Sequence, residues 1–281
     1  MSLVLHWAAL AAYLVGAGLS LAFVAWQRRA LHALGLTALW AGAGLHTLAI
    51  VLVWAQSGAL PASSLRQSLD LFSWGLMIAG LLVNLRLKIM ILGALTGPLC
   101  SLLMLAASVL PAPAGPPSKI LASLWVVVHV VSLLLGYGLL ALTFLGGALY
   151  LLQDRLIRAK NLGAAFKRLP SLSRLDQLNH KALLAGFTLL TVGLITGAIY
   201  AQMTLGSYWR WDPKEVWALI TWLLYAALLH TRLVGGWGGR RAAWMAVAAF
   251  LALLFTFLGV GLIFPGYHSF QSLPTLTGPL P

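Results

Sequence analysis

Residues 206–217 read Gly-Ser-Tyr-Trp-Arg-Trp-Asp-Pro-Lys-Glu-Val-Trp and gather more chemistry than any other stretch of the chain. They hold three tryptophans, one tyrosine and two of the chain's five acidic residues. Tyr208, Trp209, Trp211 and Trp217 exceed the interfacial aromatics that anchor an ordinary span. Their density suits a planar aromatic ligand held by stacking and edge contacts. Arg210 and Lys214 stand ready for acidic groups on such a ligand. Asp212-Pro213-Lys214-Glu215 also has the form of a helix start. Asp212 is the N-cap, Pro213 the first helical residue, and Glu215 the residue that closes a capping box. Capping does not exclude a second role for Asp212 at the border of the ligand site.

The chain has seven histidines: His6, His32, His46, His129, His180, His230 and His268. His32 and His180, beside basic loops, read as solvated, and His6 as interfacial. His46 reads equally as a hydrogen-bonded packing residue or a ligand. His129 lies in Trp-Val-Val-Val-His-Val-Val-Ser, about nine residues in from one end of an apolar run. An ionisable residue inside a span is costly and marks function. His268 follows the last apolar run in Pro-Gly-Tyr-His-Ser-Phe, on the same side as the aromatic segment. Two imidazoles flanking an aromatic shelf are what a bis-histidine haem needs, because neutral imidazole is a standard axial ligand of haem iron. His230 lies 18 residues beyond Asp212, or roughly 27 Å along a helix rising 1.5 Å per residue. It belongs to a second, deeper site if it binds haem. Zinc sites usually draw on closely spaced ligands such as His-x-x-x-His. No such pair occurs, so isolated histidines on separate spans argue for haem over zinc. The single cysteine, Cys100, makes no disulfide and no Cys-x-x-Cys site, so any thiol chemistry belongs to a partner.

These residues must be positioned by membrane helices. Of 281 residues, 61% are hydrophobic and 8% charged, against about 25% charged in soluble domains. Mean hydropathy is +0.93. Apolar runs place spans near 3–25, 34–54, 70–85, 89–110, 120–152, 181–202, 214–233 and 242–264. The first run is too long for a signal-peptide core and reads as a span. The expected fold is an all-α integral membrane protein of about eight spans, forming a single membrane domain over 1–281.

Fourteen of the Lys and Arg residues fall on one side of this arrangement and four on the other. The positive-inside rule then puts both termini and residues 206–217 on the outer face. In a soluble protein the net charge of +13 would suggest nucleic acid. Here it follows topology, and no basic patch is interleaved with aromatics for base stacking. The expected surroundings are the lipid bilayer, with no nucleic acid. The loop 153–180 reads as a basic, partly helical connector, 111–119 as a stiff Pro-rich turn, and 55–69 as a segment along the membrane surface.

The run Gly-Ser-Tyr-Trp-Arg-Trp-Asp-Pro-Lys-Glu-Val-Trp-Ala-Leu-Ile-Thr-Trp resembles the tryptophan-rich "WWD" motif of the haem-handling protein superfamily. Within it, the chain is most similar to the CcsA (ResC) family of system II cytochrome c biogenesis. The resemblance extends to Ser57–Trp74, with Gly58, Pro61, Ser68 and Trp74, to the Trp125–His129 stretch, and to the Gly-Tyr-His268 tail. It implies helices around an outer haem site and a deeper one. His129 and His268 would be axial ligands of the outer iron, flanking Tyr208, Trp209, Trp211, Asp212 and Trp217. His230 would ligate the deeper iron, with the other ligand from the partner CcsB (ResB). The implied cofactor is haem b, held and presented at the outer (periplasmic) face of the bacterial plasma (inner) membrane. The implied acceptor is apocytochrome c, whose Cys-x-x-Cys-His thiols form thioether bonds with the vinyl groups. A thioredoxin-like thiol reductant would complete the pathway. The chain would then be the haem-binding half of a cytochrome c synthase. Other readings are a haem-transfer protein serving a chaperone, as in system I, a di-haem electron-transfer subunit, and a membrane scaffold without haem.

Overall fold

The computed structural model describes residues 1–112, 119–161 and 163–266, and contains helices and no strand among them. In chain order these are α1 (Ser2–Trp26), α2 (Arg29–Ser57), α3 (Leu65–Leu87), α4 (Leu92–Val109), a 3-10 turn (Lys119–Ala122), α5 (Leu124–Arg158), α6 (Ala164–Arg168), α7 (Leu172–Leu205), α8 (Pro213–Leu233), α9 (Gly239–Leu254), a π turn (Phe255–Gly259) and α10 (Val260–Ile263). Among the described residues, eight helical runs are long and apolar enough to cross a membrane, the last being Gly239–Ile263. The expected all-α fold of eight spans is the one observed.

The differences lie at helix ends. The third span begins at Leu65, not near 70, because Ser64 caps it by accepting from the Gln67 backbone N–H. Polar residues there no more break the helix than they would in water, and Asp70 is carried inside α3. Most of the basic connector is helix, through extension of α5 to Arg158 and an early start of α7 at Leu172. The loop between α2 and α3 is anchored to the bundle at its centre. Ala59 and Leu60 are buried, and Leu60 N–H donates to the Leu121 carbonyl. The core of the Pro-rich turn, 113–118, lies outside the described residues.

Two helix groups share one wall. In the first, α1 packs along α2 and α4, and α4 along α3; in the second, α5 packs along α7 and α9. The groups meet where α3 crosses α5, at glycine on glycine. A methyl at Gly75 would stand 2.7 Å from the Leu134 carbonyl oxygen, and one at Gly138 would stand 2.7 Å from the Gly75 carbonyl oxygen. In a bilayer, apolar burial does not drive helices together, so close backbone approach through small residues supplies the dispersion contact that does. Helix α8 is the least enclosed span, with 17% of its apolar window buried against 67% for α3. One of its faces is therefore left for lipid or a partner. The π turn ties α8 to α9: Thr256 Oγ1 lies 2.7 Å from Thr221 Oγ1 and 3.1 Å from the Trp217 carbonyl oxygen.

At the end away from the aromatic segment, Arg232 closes the bundle. Its side chain is 5% exposed and donates to Asp176 Oδ1 (3.0 Å), Asn179 Oδ1 (3.2 Å) and His180 Nδ1 (3.3 Å). Asp176 Oδ1 also accepts from Gly239 N–H at 3.0 Å, joining α7 to the start of α9. His180 is thus a hydrogen-bond acceptor in a helix junction and not a solvated loop residue. His32 likewise packs its ring against Phe23. Replacing Arg232 by Ala strands Asp176 and Asn179. Removing one partner of a buried pair costs about 3–5 kcal/mol. Partial exposure of Asp176 lowers the expected loss to about 2–3 kcal/mol. The measurement is the thermal unfolding midpoint in detergent, and an unchanged midpoint would refute this role.

Candidate haem-handling site

The aromatic loop is built by its own side chains. Gly206 ends α7 in the left-handed region (φ 73°), which glycine adopts without steric cost. Ser207 Oγ donates to the Trp209 carbonyl (2.7 Å) and accepts from Trp209 N–H (3.3 Å). The capping box forms as expected, with Asp212 Oδ1 accepting from Lys214 N–H at 2.8 Å. Glu215 does more than cap. Its Oε2 accepts from Arg210 N–H (2.8 Å) and from Asp212 N–H (3.3 Å), and so clamps the backbone on both sides of Trp211. Trp211 is itself left-handed (φ 58°), a conformation unusual for a bulky residue and costing about 1–3 kcal/mol. Its ring is 77% exposed. A large apolar ring is thus held outward, in a disfavoured backbone state, by a carboxylate clamp. Such strain is characteristic of ligand contacts.

Tyr208, Trp209 and Trp211 come together in this loop. Trp209 and Trp211 meet edge to face, with centroids 5.7 Å apart and planes at 86°, so they form a corner with one ring wall and one ring floor. Trp217, one turn into α8, faces Phe255 of the π turn at 4.5 Å. The Asp212 side chain is buried, and a methyl built on Gly266 would stand 2.5 Å from Asp212 Oδ2. The chain that leaves α10 therefore returns to the start of α8. His268, two residues farther on, lies outside the described residues.

His129 sits five residues into α5, which opens at Leu124 after the 3-10 turn. Its ring lies on the backbone of α7. Nδ1 is 2.7 Å from the Gly193 carbonyl oxygen. A methyl at Gly197 would stand 2.5 Å from both Cε1 and Nδ1. A carbonyl oxygen only accepts, so Nδ1 carries a proton here, and Nε2 is the ring nitrogen with which His129 would meet a metal. Histidine ligands of metals are oriented in this way, by a hydrogen bond from the second nitrogen. Gly197 precedes Gly206 by nine positions, about 14 Å along α7, so His129 lies one level below the aromatic loop. His230 is exposed in the last turn of α8, on the open side that also carries Leu219, Leu223 and Leu224.

One cluster escapes sequence spacing altogether. His6 of α1, His46 of α2 and Asp70 of α3 converge. Asp70 Oδ1 lies 3.3 Å from His6 Nδ1, and Asp70 Oδ2 lies 3.3 Å from His46 Nε2. His6 is therefore part of a polar group inside the bundle and not a surface anchor, and His46 is fully buried. No closely spaced histidine pair is involved, since the three residues are brought together from three spans.

A family model described as cytochrome C assembly protein matches residues 62–268, a range that includes α3, His129, the aromatic loop, His230 and His268. The chain belongs to that family. The cytochrome c biogenesis protein CcsA of Guillardia theta is 35% identical over 235 residues, covering 76% of this chain and 78% of that one. CcsA of Synechococcus sp. (strain CC9902) is 37% identical over 240 residues, covering 76% and 79%. CcsA of Chlamydomonas reinhardtii is 38% identical over 223 residues, covering 76% and 62%. The solved structure of cytochrome c heme lyase CcmF aligns with a TM-score of 0.58 at 21% identity, over 92% of this chain and 46% of that one. At that identity the likeness is one of fold. As a cytochrome c assembly family member with eight apolar spans, the chain is an integral membrane protein.

Proposed function

We propose that this chain is the haem-holding membrane subunit of a cytochrome c synthase. Cytochrome c biogenesis is the process its family serves, and haem is handled as cargo. The observation that carries the reading is His129. Its Nδ1–H is fixed on the Gly193 carbonyl and its ring on Gly197, which sets the plane of the imidazole, and Nε2 would be the atom that meets the iron. His268 is the proposed second axial ligand of the outer haem b. The last described residue, Gly266, lies beside Asp212 at the start of α8. The Trp209–Trp211 corner, with Tyr208, Trp217 and Asp212, receives the macrocycle edge.

The apocytochrome approaches from the outer face, where the positive-inside rule places this loop and both termini. Each thiol of its Cys-x-x-Cys-His site adds across one vinyl group. A carbon–sulfur bond forms, the thiol proton passes to vinyl carbon, and no oxidant is required. The contribution of this chain is position: holding the reactants in one geometry makes a bimolecular step effectively unimolecular.

His230 is proposed as one ligand of a deeper haem. It stands exposed among apolar side chains on the least enclosed span, where an unpartnered ionisable group is costly. CcsB (ResB) packed on α8 would supply the opposite ligand and cover that face. The test is purification with and without CcsB, followed by absorption spectra and haem stoichiometry. Two haems per complex are expected, falling to one in His230→Ala. Equal stoichiometry in wild type and His230→Ala would refute the deeper site. A complex without haem would refute the reading as a whole.

A further inference from the structure

Two of the three residues in the His6–His46–Asp70 cluster precede residue 62, where the family match begins. Nothing in the haem reading uses them. The cluster does not suit haem. The two imidazole centroids are 6.2 Å apart with planes at 88°, and a carboxylate occupies the space a macrocycle would need. A porphyrin between these rings would have to displace Asp70.

The proton inventory shows what the cluster lacks. Ser108 donates its hydroxyl to the Met104 carbonyl at 2.8 Å. Its oxygen therefore accepts from His6 Nε2–H, 3.1 Å away. Neutral His6 then has its lone pair on Nδ1, aimed at Asp70 Oδ1, an acceptor-only atom. On the other side, His46 Nδ1 is 3.4 Å from the buried Tyr13 hydroxyl, and His46 Nε2 faces Asp70 Oδ2. Both carboxylate contacts are close, yet His46 Nε2 and Asp70 Oδ1 are buried without a hydrogen-bond partner. Arg66, one turn before Asp70, donates its guanidinium to the Leu110 carbonyl at 3.2 Å. His6 Nδ1, His46 Nε2 and the two Asp70 oxygens, four atoms able to ligate a metal, thus face one another.

We propose that His6, His46 and Asp70 form a binding site for a divalent transition-metal ion of zinc type. Ligand atoms about 2.0–2.1 Å from a tetrahedral ion stand about 3.3 Å apart. Each imidazole nitrogen has that separation from its own Asp70 oxygen, His6 Nδ1 from Oδ1 and His46 Nε2 from Oδ2, 3.3 Å in each case, so one ion would engage both oxygens or turn the carboxylate to present one. All three residues offer ligand atoms within 4.8 Å of one another. Ser108 and Tyr13 hold the outer nitrogens of the two rings, the second-shell role that orients histidine ligands. Asp70 and His6 keep 21% and 15% of their side-chain surface exposed. That opening gives an entry path and a fourth position for water. The ion would clamp α1, α2 and α3 together near the ends of the spans that bear the aromatic loop.

The test uses full-length protein in detergent, without a polyhistidine tag, stripped by a chelator and then titrated with Zn²⁺. One equivalent per chain is expected at the cluster. Zinc X-ray absorption, which haem does not mask, should show nitrogen and oxygen neighbours only, and zinc should raise the thermal midpoint. Asp70→Asn, which preserves volume, and His46→Ala should each weaken binding more than about 100-fold. Ser108→Ala should weaken it about 10-fold, as outer-shell partners do. Zinc affinity equal in wild type and Asp70→Asn overturns the proposal. It is also overturned if zinc leaves the wild-type midpoint unmoved while Asp70→Asn lowers the midpoint of chelated protein, since the cluster is then a proton-bridged ion pair. The haem content of the Asp70→Asn protein is read separately, so failure here and failure of the haem assignment are distinguishable.

Discussion

His129→Ala protein, purified with its partner, is expected to lose the outer haem and to support cytochrome c assembly more than about 100-fold less well. Outer-shell partners of a metal ligand are typically worth 10–100-fold, so loss of the ligand itself should exceed that range. The reason lies in the pairing of His129 with the backbone of α7. The Gly193 carbonyl fixes the proton on Nδ1, and the ring rests where Gly197 has no side chain. No other described residue occupies that place on α5. Alanine should leave the helix intact, because it is the best helix former, so circular dichroism and yield should stay at wild-type levels. Added imidazole should restore part of the haem spectrum by entering the vacated space. An unchanged spectrum with undiminished assembly would remove His129 from the iron.

The sequence reveals some of this design and conceals the rest for physical reasons. Apolar runs of bilayer length announce the eight spans because hydrocarbon admits little else. Asp212, Pro213 and Glu215 announce a helix start because capping is a local rule, satisfied within four residues. The second job of Glu215, bracketing Trp211, depends on the loop's backbone path and has no spacing signature. The convergence of His6, His46 and Asp70 depends on helices α1, α2 and α3 sharing one end of the bundle. Residues 40 and 24 positions apart carry no periodicity that a reader of one chain could find. A signal was nonetheless present. Asp70 is one of five acidic residues in 281, set beside an apolar run, and a rare charge at a span end calls for a partner. The same reasoning applied to Asp176 would have found Arg232, the basic residue that ends α8.

The second large effect is expected from a residue that touches no iron. Gly197→Ala adds a methyl 2.5 Å from the His129 ring, closer than packed atoms approach. Either the ring turns off the Gly193 carbonyl or α5 and α7 separate, and both outcomes misdirect Nε2. The substitution also replaces glycine inside a helix by alanine, which favours the helix by about 1 kcal/mol. The two consequences have opposite signs. Helix α7 gains intrinsic stability while the histidine loses its seat. Gly197→Ala should therefore lower outer-site haem occupancy and cytochrome c assembly about 10-fold or more, with little fall in the thermal midpoint of haem-free protein. Gly197→Val should abolish both activities. Gly44, on α2, supplies the control, since a methyl there meets nothing within 4 Å, and Gly44→Ala should leave haem binding unchanged. If Gly197→Ala protein binds haem as wild type does, the ring has room to move, and the seat on α7 does not set the orientation of His129. If haem is lost but the midpoint falls with it, separation of α5 from α7 explains the loss. A spectrum that changes while the midpoint holds identifies Gly197 as a positioning residue for the histidine it faces.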